Sequence, residues 1–279
     1  MKQILFVKCD GSSKYEKEKE ILQKLKGTGI CLKLLDFFNN CYYLVLEKAD
    51  MNLKQFLEEY VLKIEDQNEK LNKQKQILLK VVKLLRILHD DFKIVHGNLK
   101  LENLMIQLND EGNIDIKLTD FSISCKIGEK WSTNKYLNWE SCSFEVGCYA
   151  LGLIKSHVAS PKDDLFCLGL IFAEVLNSTP VFKSDEETKI CFRKYFSKMK
   201  RNQNNSENLK ISVVERIGMY GNRENGIGLR LLSIDPNERP SAREIENIYE
   251  NLGITDQIAF GFSFFFFFLI NFKNEIIFE

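Results

Sequence analysis

The sequence lacks an excess of charge of either sign, paired cysteines and histidines spaced as metal ligands. Its 279 residues carry 39 basic and 39 acidic side chains, a balance that argues against a nucleic-acid-binding surface. The eight cysteines include no C-x-x-C pair and no secretory signal precedes them, so we expect reduced thiols and a cytoplasmic protein. The three histidines share no metal-ligand spacing. An apolar fraction of 44% is enough for one large domain.

A β-hairpin is predicted between Asn103 and Asp120. Leu104–Ile106 is a β-prone run, residues 109–113 form a turn cluster, and apolar residues alternate with polar ones over 114–118. The hairpin would bring the Asn103 amide oxygen and the Asp120 carboxylate to one small space. Two oxygen ligands with open positions suit Mg²⁺, which keeps several waters and binds phosphate oxygens. The alternative is that both are ordinary turn residues beside a hairpin.

The segments around this hairpin resemble the catalytic loop and metal-binding turn of protein kinases. Their templates are H-R-D-L-x-x-x-N and D-F-G. The matching residues are His96, Leu99, Asn103, Asp120 and Phe121, and the departures are Gly97, Asn98 and Ser122.

The resemblance implies a role for each of these positions. Asn98 would occupy the place of the catalytic aspartate, and Asn103 and Asp120 would hold Mg²⁺. Lys100 resembles the serine/threonine branch, in which such a lysine contacts the transferred phosphate. Gly97 has no side chain with which to bind a phosphorylated activation loop.

An upstream lysine and glutamate also fit the resemblance. Ile4–Lys8 is predicted to be a strand ending in a lysine, as in the V-A-I-K strand. In the helix that follows, Glu18 lies on the apolar stripe with Tyr15, Leu22 and Leu25. A carboxylate on a buried stripe needs a partner, and we predict that Lys8 pairs with Glu18 to hold the phosphates of ATP. The alternative is that Glu18 reaches solvent at the edge of its helix.

A second hairpin is predicted around Asn39-Asn40, joining strands over 34–38 and 42–49. By the same resemblance, Leu46 would be the gatekeeper. Glu47 and Ala49 would belong to the hinge whose backbone binds adenine. An apolar spine linking two lobes would be formed by Leu22, Leu34, His96 and Phe121.

The second half is predicted to be mainly helical. A helix over 71–92 places Leu78, Val81, Val82, Leu85 and Leu88 on one stripe, and a second helix begins near Asp163. By resemblance, Asp164 would anchor the catalytic-loop backbone, and Arg239 would pair with the glutamate of an A-P-E motif.

The place of that glutamate has two alternatives. Glu140 is the first. The second is the run 147–153, which has no acid. The run from 147 to Leu165 resembles the casein kinase one group, as does Lys26–Ile30, and this favours the second alternative.

The two ends of the sequence differ from the kinase pattern. No G-x-G-x-x-G precedes Lys8, so we expect a small-lobe sheet of about three strands and weak ATP binding. Near the other end, the uncharged run from Ile258 to Ile270 has 13 residues and includes five consecutive phenylalanines. A membrane helix needs about 20 residues, so we favour a low-complexity tail, with a tail anchor or a gene-prediction artefact as alternatives.

The sequence thus predicts a two-lobed α+β kinase-like fold over 1–253, with a small lobe at 1–48, a mainly helical lobe at 50–253 and a Phe-rich tail at 254–279. The predicted function is that of a pseudokinase with weak Mg²⁺ and ATP binding, which acts as a scaffold or allosteric partner of another protein. The alternatives are an active serine/threonine kinase and a non-functional fragment.

Overall fold

A computed structural model describes residues 4–9, 11–108, 113–131, 158–177, 227–233 and 235–251. It begins with a three-stranded antiparallel sheet of β1 (Ile4–Lys8), β2 (Leu34–Phe38) and β3 (Tyr43–Glu47), with β3 in the centre. The strand residues are mostly aliphatic and aromatic, which favours a pleated, half-buried surface. The predicted hairpin around Asn39-Asn40 and the count of about three strands are confirmed in the described residues.

One face of this sheet is covered by helix α1 (Ser12–Lys24). Leu5 pairs with Leu46 and Val7 with Leu44, so these four side chains share a face. The α1 side chains Tyr15, Ile21 and Leu22 are buried in the same core. On the edge strands, Ile4, Phe6 and Phe38 stay exposed. The alternation of side chains along β1 therefore decides which residues can face α1.

Two helices at the start of the second lobe carry clear capping signals. Helix α2 (Leu53–Phe56) begins with a capping box of Asn52 and Gln55 and continues as a π-helical turn, Leu57–Val61. Helix α3 (Gln67–Arg86) begins at Asp66, whose side chain accepts a hydrogen bond from the Glu69 backbone. Helix α3 continues as a second π-helical turn, Ile87–Asp91.

The helical core forms where α3 packs against later helices. The predicted helix over 71–92 is confirmed, and its stripe of Leu78, Val81, Val82, Leu85 and Leu88 is buried. The other described helices of this lobe are α4 (Pro161–Asn177), α5 (Ile227–Leu231) and α6 (Ala242–Asn251). Buried Gln74 of α3 donates Nε2 to the Val175 carbonyl of α4 at 2.6 Å, which fixes the contact between these two helices.

In the described residues, five short strands lie between the helices and flank the loops that contain the candidate site residues. Strands β4 (Met51–Asn52), β6 (Leu104–Leu108) and β7 (Ile114–Leu118) form one sheet, with β6 in the centre. Strand β5 (Ile94–Val95) pairs with β8 (Cys125–Lys126). The predicted strand pairing between Asn103 and Asp120 is confirmed, with Leu104 opposite Leu118, and the predicted turn at 109–112 lies outside the described residues.

The α+β class is confirmed by small antiparallel sheets followed by a helical lobe. None of the helices within the described ranges is long and apolar enough to cross a membrane. The Phe-rich tail lies outside the described residues, and the lobe and tail boundaries stay predictions.

Candidate active site

Asp164 anchors the loop that carries the candidate site. Its side chain is fully buried; Oδ2 accepts hydrogen bonds from His89 Nε2 at 2.8 Å and from the His96 backbone at 2.7 Å, and Oδ1 accepts one from the Gly97 backbone at 2.8 Å. Burial opposes ionisation of Asp164, but the hydrogen bonds from His89 and from the loop backbone outweigh it and lower the pKa of this carboxyl. Asp164 thus holds the loop backbone, as the resemblance implied. Sequence reasoning missed His89, because only the fold brings it to Asp164.

His96 joins the loop to the turn after β7. Its Nε2 lies 3.0 Å from the Thr119 carbonyl, its Nδ1 accepts from the Asn98 backbone at 3.2 Å, and burial lowers the pKa of the ring. A neutral imidazole protonated at Nε2 satisfies both bonds. The ring also packs on Phe121, with 5.0 Å between ring centroids. Phe121 and Leu22 are buried in the same core, and Leu34 packs against it, as predicted for the apolar spine.

The β6–β7 hairpin brings Asn103 and Asp120 to the same place through Asn98. The Thr119 backbone donates to the Asn103 carbonyl at 3.1 Å, and Asn103 Nδ2 donates to the Asn98 carbonyl at 2.8 Å. Asn98 Nδ2 in turn donates to Asp120 Oδ2 at 2.6 Å. The three residues therefore form one hydrogen-bonded group at the end of the hairpin.

Asp120 itself sits in a constrained turn. Its backbone has φ 62°, a left-handed conformation that is uncommon for residues other than glycine. Its Oδ1 accepts a hydrogen bond from Ser122 Oγ at 2.7 Å. The side chain is only half-buried, so it can still be reached from the cleft.

The oxygen atoms of Asn103 and Asp120 suit Mg²⁺ only with help from a ligand. No cluster of three histidine, cysteine, aspartate or glutamate side chains fit for a metal occurs within the described residues. Mg²⁺ is commonly held by one or two protein oxygens with water and phosphate oxygens completing its shell. Because Asn103 donates its Nδ2 to Asn98, its Oδ1 is the atom that could serve as a ligand. The donor set fits a nucleotide-bound Mg²⁺, with Asp120 as the main ligand.

Glu18 is buried beside this turn, but its predicted ion pair with Lys8 is not formed. Glu18 Oε1 accepts from the Phe121 backbone at 3.2 Å, and Oε2 lies 3.7 Å from the Cys9 thiol. Burial, and then the charge of Asp120, raise the pKa of Glu18 to about 7. Lys8 is exposed, and within the described ranges no ion pair joins it to Glu18.

Strand alternation explains why Lys8 does not reach Glu18. Val7 points to the core, so its neighbour Lys8 points to the opposite face, and the next residue, Cys9, is buried. The prediction was wrong because it used the position of the lysine at the strand end and not the period of two along the strand. That period is visible in the sequence and could have identified Cys9 as the neighbour of Glu18.

The predicted hinge residues lie at the end of β3 and just after it. The Glu47 side chain accepts from Lys117 Nζ at 2.6 Å and from the Lys33 backbone at 2.9 Å. Burial acts to raise the pKa of Glu47, but these hydrogen bonds outweigh it and lower the pKa. Ala49 is buried at the lobe junction. Lys100 is half-buried in the loop next to Leu99. Binding of adenine or phosphate by these residues stays a prediction.

Trp131 occupies the space beside Gly97. A Cβ added at Gly97 would lie 2.7 Å from Trp131 Cη2 and 2.9 Å from Cζ3, and Gly97 has φ 78°. Trp131 packs on a small cluster of Val95, Cys125 and Ala159. Both the backbone conformation and the ring therefore favour glycine at 97. The sequence showed the missing side chain at this position, and the fold shows what replaces it.

Arg239 is buried near the start of α4. Its Nε donates to the Ser233 carbonyl at 2.9 Å and its Nη1 to the Lys162 carbonyl at 2.6 Å. The guanidinium carbon lies 5.1 Å from the centroid of the Phe166 ring. Both candidate partners from the sequence, Glu140 and the run 147–153, lie outside the described residues.

Comparisons with known proteins agree with this geometry. Residues 1–248 match the family described as "Protein kinase domain". The chain is 27% identical to serine/threonine-protein kinase 33 of Bos taurus over 238 residues, which cover 82% of this chain and 44% of that protein. It is 28% identical to cyclin-dependent kinase 7 of Dictyostelium discoideum over 183 residues, which cover 63% of this chain and 46% of that protein.

The chain thus spans less than half the length of these curated relatives. The resemblance to the casein kinase one group stays a prediction. The family match extends over most of the sequence and includes both the Asp164 anchor and the Asp120 turn, so this chain belongs to the protein kinase domain family and has its α+β fold.

Proposed function

We propose that this kinase domain transfers phosphate weakly or not at all, and acts as a scaffold or allosteric partner of another protein. The observation that carries the proposal is the state of Asn98. Its Nδ2 donates to Asp120 at 2.6 Å, so the residue at the position of the catalytic base acts as a hydrogen-bond donor. An uncharged amide cannot accept a proton from a substrate hydroxyl at neutral pH.

The size of the expected defect follows from general-base catalysis. Loss of a positioned base costs about 10²–10⁴-fold in rate. Typical protein kinases turn over at about 1–100 per second, so we expect about 10⁻² per second or less. Lys8 is exposed and does not pair with Glu18, so the lysine–glutamate ion pair on which kinase activity depends is also missing.

Residual nucleotide binding is part of the proposal. Asp120 and Asn103 would hold Mg²⁺ between the phosphates of ATP, Lys100 would contact the terminal phosphate, and the hinge at Glu47 and Ala49 would bind adenine. Bound Mg²⁺ would neutralise phosphate charge. The support from the described residues is the Asp120 turn, which is accessible and is held by Asn98 at Asp120 and by Glu18 at the Phe121 backbone.

We also infer a cytoplasmic location and a protein partner. In the part of the chain that the structure describes, Cys31, Cys41 and Cys125 are free thiols, as expected in a reducing compartment. Kinase domains act on proteins, and the balanced charge does not favour nucleic acid.

An active serine/threonine kinase is the second candidate. It is favoured by the assembled site: Asp164 holds the loop, Phe121 packs under His96, and Glu18 accepts from the Phe121 backbone. The two named relatives are a serine/threonine-protein kinase and a cyclin-dependent kinase, and this similarity also supports the second candidate.

Phosphate transfer from radiolabelled ATP to casein separates the two candidates. Asn98→Asp restores a carboxylate at the base position, yet we expect a rise of less than about tenfold, because Lys8 still faces solvent. Asn98→Asp with Asp120→Ala should return the rate to background. Asn72→Asp, the same change at an exposed site on α3, is the matched control and should leave the rate unchanged. A wild-type rate near that of ordinary kinases, abolished by Asp120→Ala, would overturn the proposal.

A further inference from the structure

Both carboxylate oxygens of Asp120 are bound by donors from the chain itself. Oδ2 accepts from Asn98 Nδ2 at 2.6 Å, and Oδ1 accepts from Ser122 Oγ at 2.7 Å and from the Ser122 backbone at 3.4 Å. Asn98 and Ser122 are also two of the positions where the chain departs from the kinase motifs. The departures therefore fall on the two side chains that contact the main candidate metal ligand.

Asn98 is held firmly in the orientation that this contact requires. The residue is 7% exposed, its backbone N–H donates to His96 Nδ1 at 3.2 Å, and its carbonyl accepts from Asn103 Nδ2 at 2.8 Å. Three bonds from its backbone and side chain thus fix it between His96, Asn103 and Asp120. A side chain fixed in this way donates to Asp120 without further loss of conformational entropy.

The negative charge of Asp120 determines how its neighbours affect cation binding. An aspartate at position 98 would bring two carboxylates together, and a cation would be needed to keep both ionised. The Asn98 amide and the Ser122 hydroxyl instead give this carboxylate two neutral donors. A divalent cation that binds Asp120 therefore competes with these charge-assisted hydrogen bonds for the lone pairs and the charge of the carboxylate.

We propose that Asn98 and Ser122 form a clamp on Asp120 that takes the place of a divalent cation and weakens metal binding at this site. The clamp keeps the turn Asp120–Ser122 in position when no metal is bound. It deepens the proposed function, on which it rests in part, because it names what limits the use of Mg²⁺ by this domain.

Metal affinity, measured without nucleotide and without turnover, tests the clamp. Mn²⁺ is the probe, and its dissociation constant is read from water-proton relaxation for the full chain. Ser122→Ala removes one donor and Asn98→Leu removes the other without adding a ligand. We expect each to bind Mn²⁺ roughly three- to tenfold more tightly than wild type, since a hydrogen bond to a charged group contributes about that factor or more. Asn98→Asp, which also adds a carboxylate, should bind it more than about tenfold more tightly.

Controls separate this result from a general change in the protein. Asp120→Asn should abolish the gain in each variant, and Ser13→Ala, at an exposed serine, should match wild type. Addition of a chelator should leave the wild-type melting temperature unchanged.

Affinities of Ser122→Ala and Asn98→Leu equal to or weaker than wild type would overturn the clamp, as would the absence of Mn²⁺ binding in every variant. A wild-type chain that proved to be an active kinase would overturn the proposed function, whereas the order of these affinities would still decide the clamp.

Discussion

Asp164 and Asp120 both accept hydrogen bonds from the same loop, His96–Asn103, but their surroundings differ. Asp164 is fully buried and receives hydrogen bonds from His89 and from the backbone of His96 and Gly97. Asp120 is half-buried and receives its bonds from side chains at positions that depart from the family pattern. The loop can therefore keep the shape of a kinase site while the groups around Asp120 change. We therefore expect the stability of the fold and any phosphate transfer to depend on different carboxylates.

Removal of the Asp164 side chain should give the largest loss of stability, and it tests whether this carboxylate maintains the fold. Asp164→Ala leaves buried donors of His89, His96 and Gly97 without an acceptor, so the free energy of unfolding should fall by about 3–5 kcal/mol. Urea denaturation measures it. Asp115→Ala, at an exposed aspartate of β7, is the control and should change stability by less than about 0.5 kcal/mol. A loss below about 1 kcal/mol for Asp164→Ala would mean that the loop is held by other contacts.

The next effect is a dependence of stability on pH through Glu18. Burial and the charge of Asp120 raise its pKa from 4.5 to about 7 in the folded chain. The folded chain therefore binds this proton more tightly than the unfolded chain, and the free energy of unfolding falls as pH rises through that window. Glu18→Gln should remove this fall, which amounts to at most about 3 kcal/mol.

Denaturation curves at a series of pH values measure the difference in free energy of unfolding between wild type and Glu18→Gln. Asp163, whose pKa burial raises to about 6, titrates in both and cancels in the comparison. Glu20→Gln, at an exposed glutamate of the same helix, should follow wild type. Parallel curves for wild type and Glu18→Gln would show that Glu18 is ionised with an ordinary pKa.

Gly97 and Gly128 allow a comparison of two glycine-to-alanine substitutions, with smaller expected losses of stability. Both have positive φ, 78° and 86°, but only a Cβ at Gly97 meets Trp131, whereas a Cβ at Gly128 meets nothing within 4 Å. Gly128→Ala should lose about 1 kcal/mol from backbone strain. Gly97→Ala should lose about 1–3 kcal/mol more, because the methyl group overlaps the ring. Trp131→Leu in the Gly97→Ala background should recover that excess, and equal losses for the two alanine variants would contradict the packing.

The smallest effect concerns Lys8. Because Lys8 is exposed and Glu18 is bound by Phe121 and Cys9, a double-mutant cycle of Lys8→Ala and Glu18→Gln should show no detectable coupling in stability. A cycle of Cys9→Ala and Glu18→Gln should show coupling, since the thiol lies 3.7 Å from the carboxylate. Coupling between Lys8 and Glu18 would restore the ion pair expected from the sequence.

Much of the fold was predictable because its signals are local. The stripe on α3, the hairpin around 39–40 and the pairing of β6 with β7 follow from periodicity and turn residues, and the structure confirms them. The approach of Asn103 to Asp120 followed from the hairpin alone. The prediction of the Lys8–Glu18 pair was wrong because side chains alternate along a strand, so Lys8 points away from the face of Val7.

Contacts between distant segments required the tertiary structure. The hydrogen bond from His89 to Asp164 and the packing of Trp131 on Gly97 join residues that are far apart in sequence. No local sequence pattern predicts these contacts. The sequence alone determined the residue types at the site: an amide at 98, a carboxylate at 120 and no side chain at 97. Only the tertiary structure decided that the amide donates to the carboxylate, because the direction of a hydrogen bond depends on distances that folding creates.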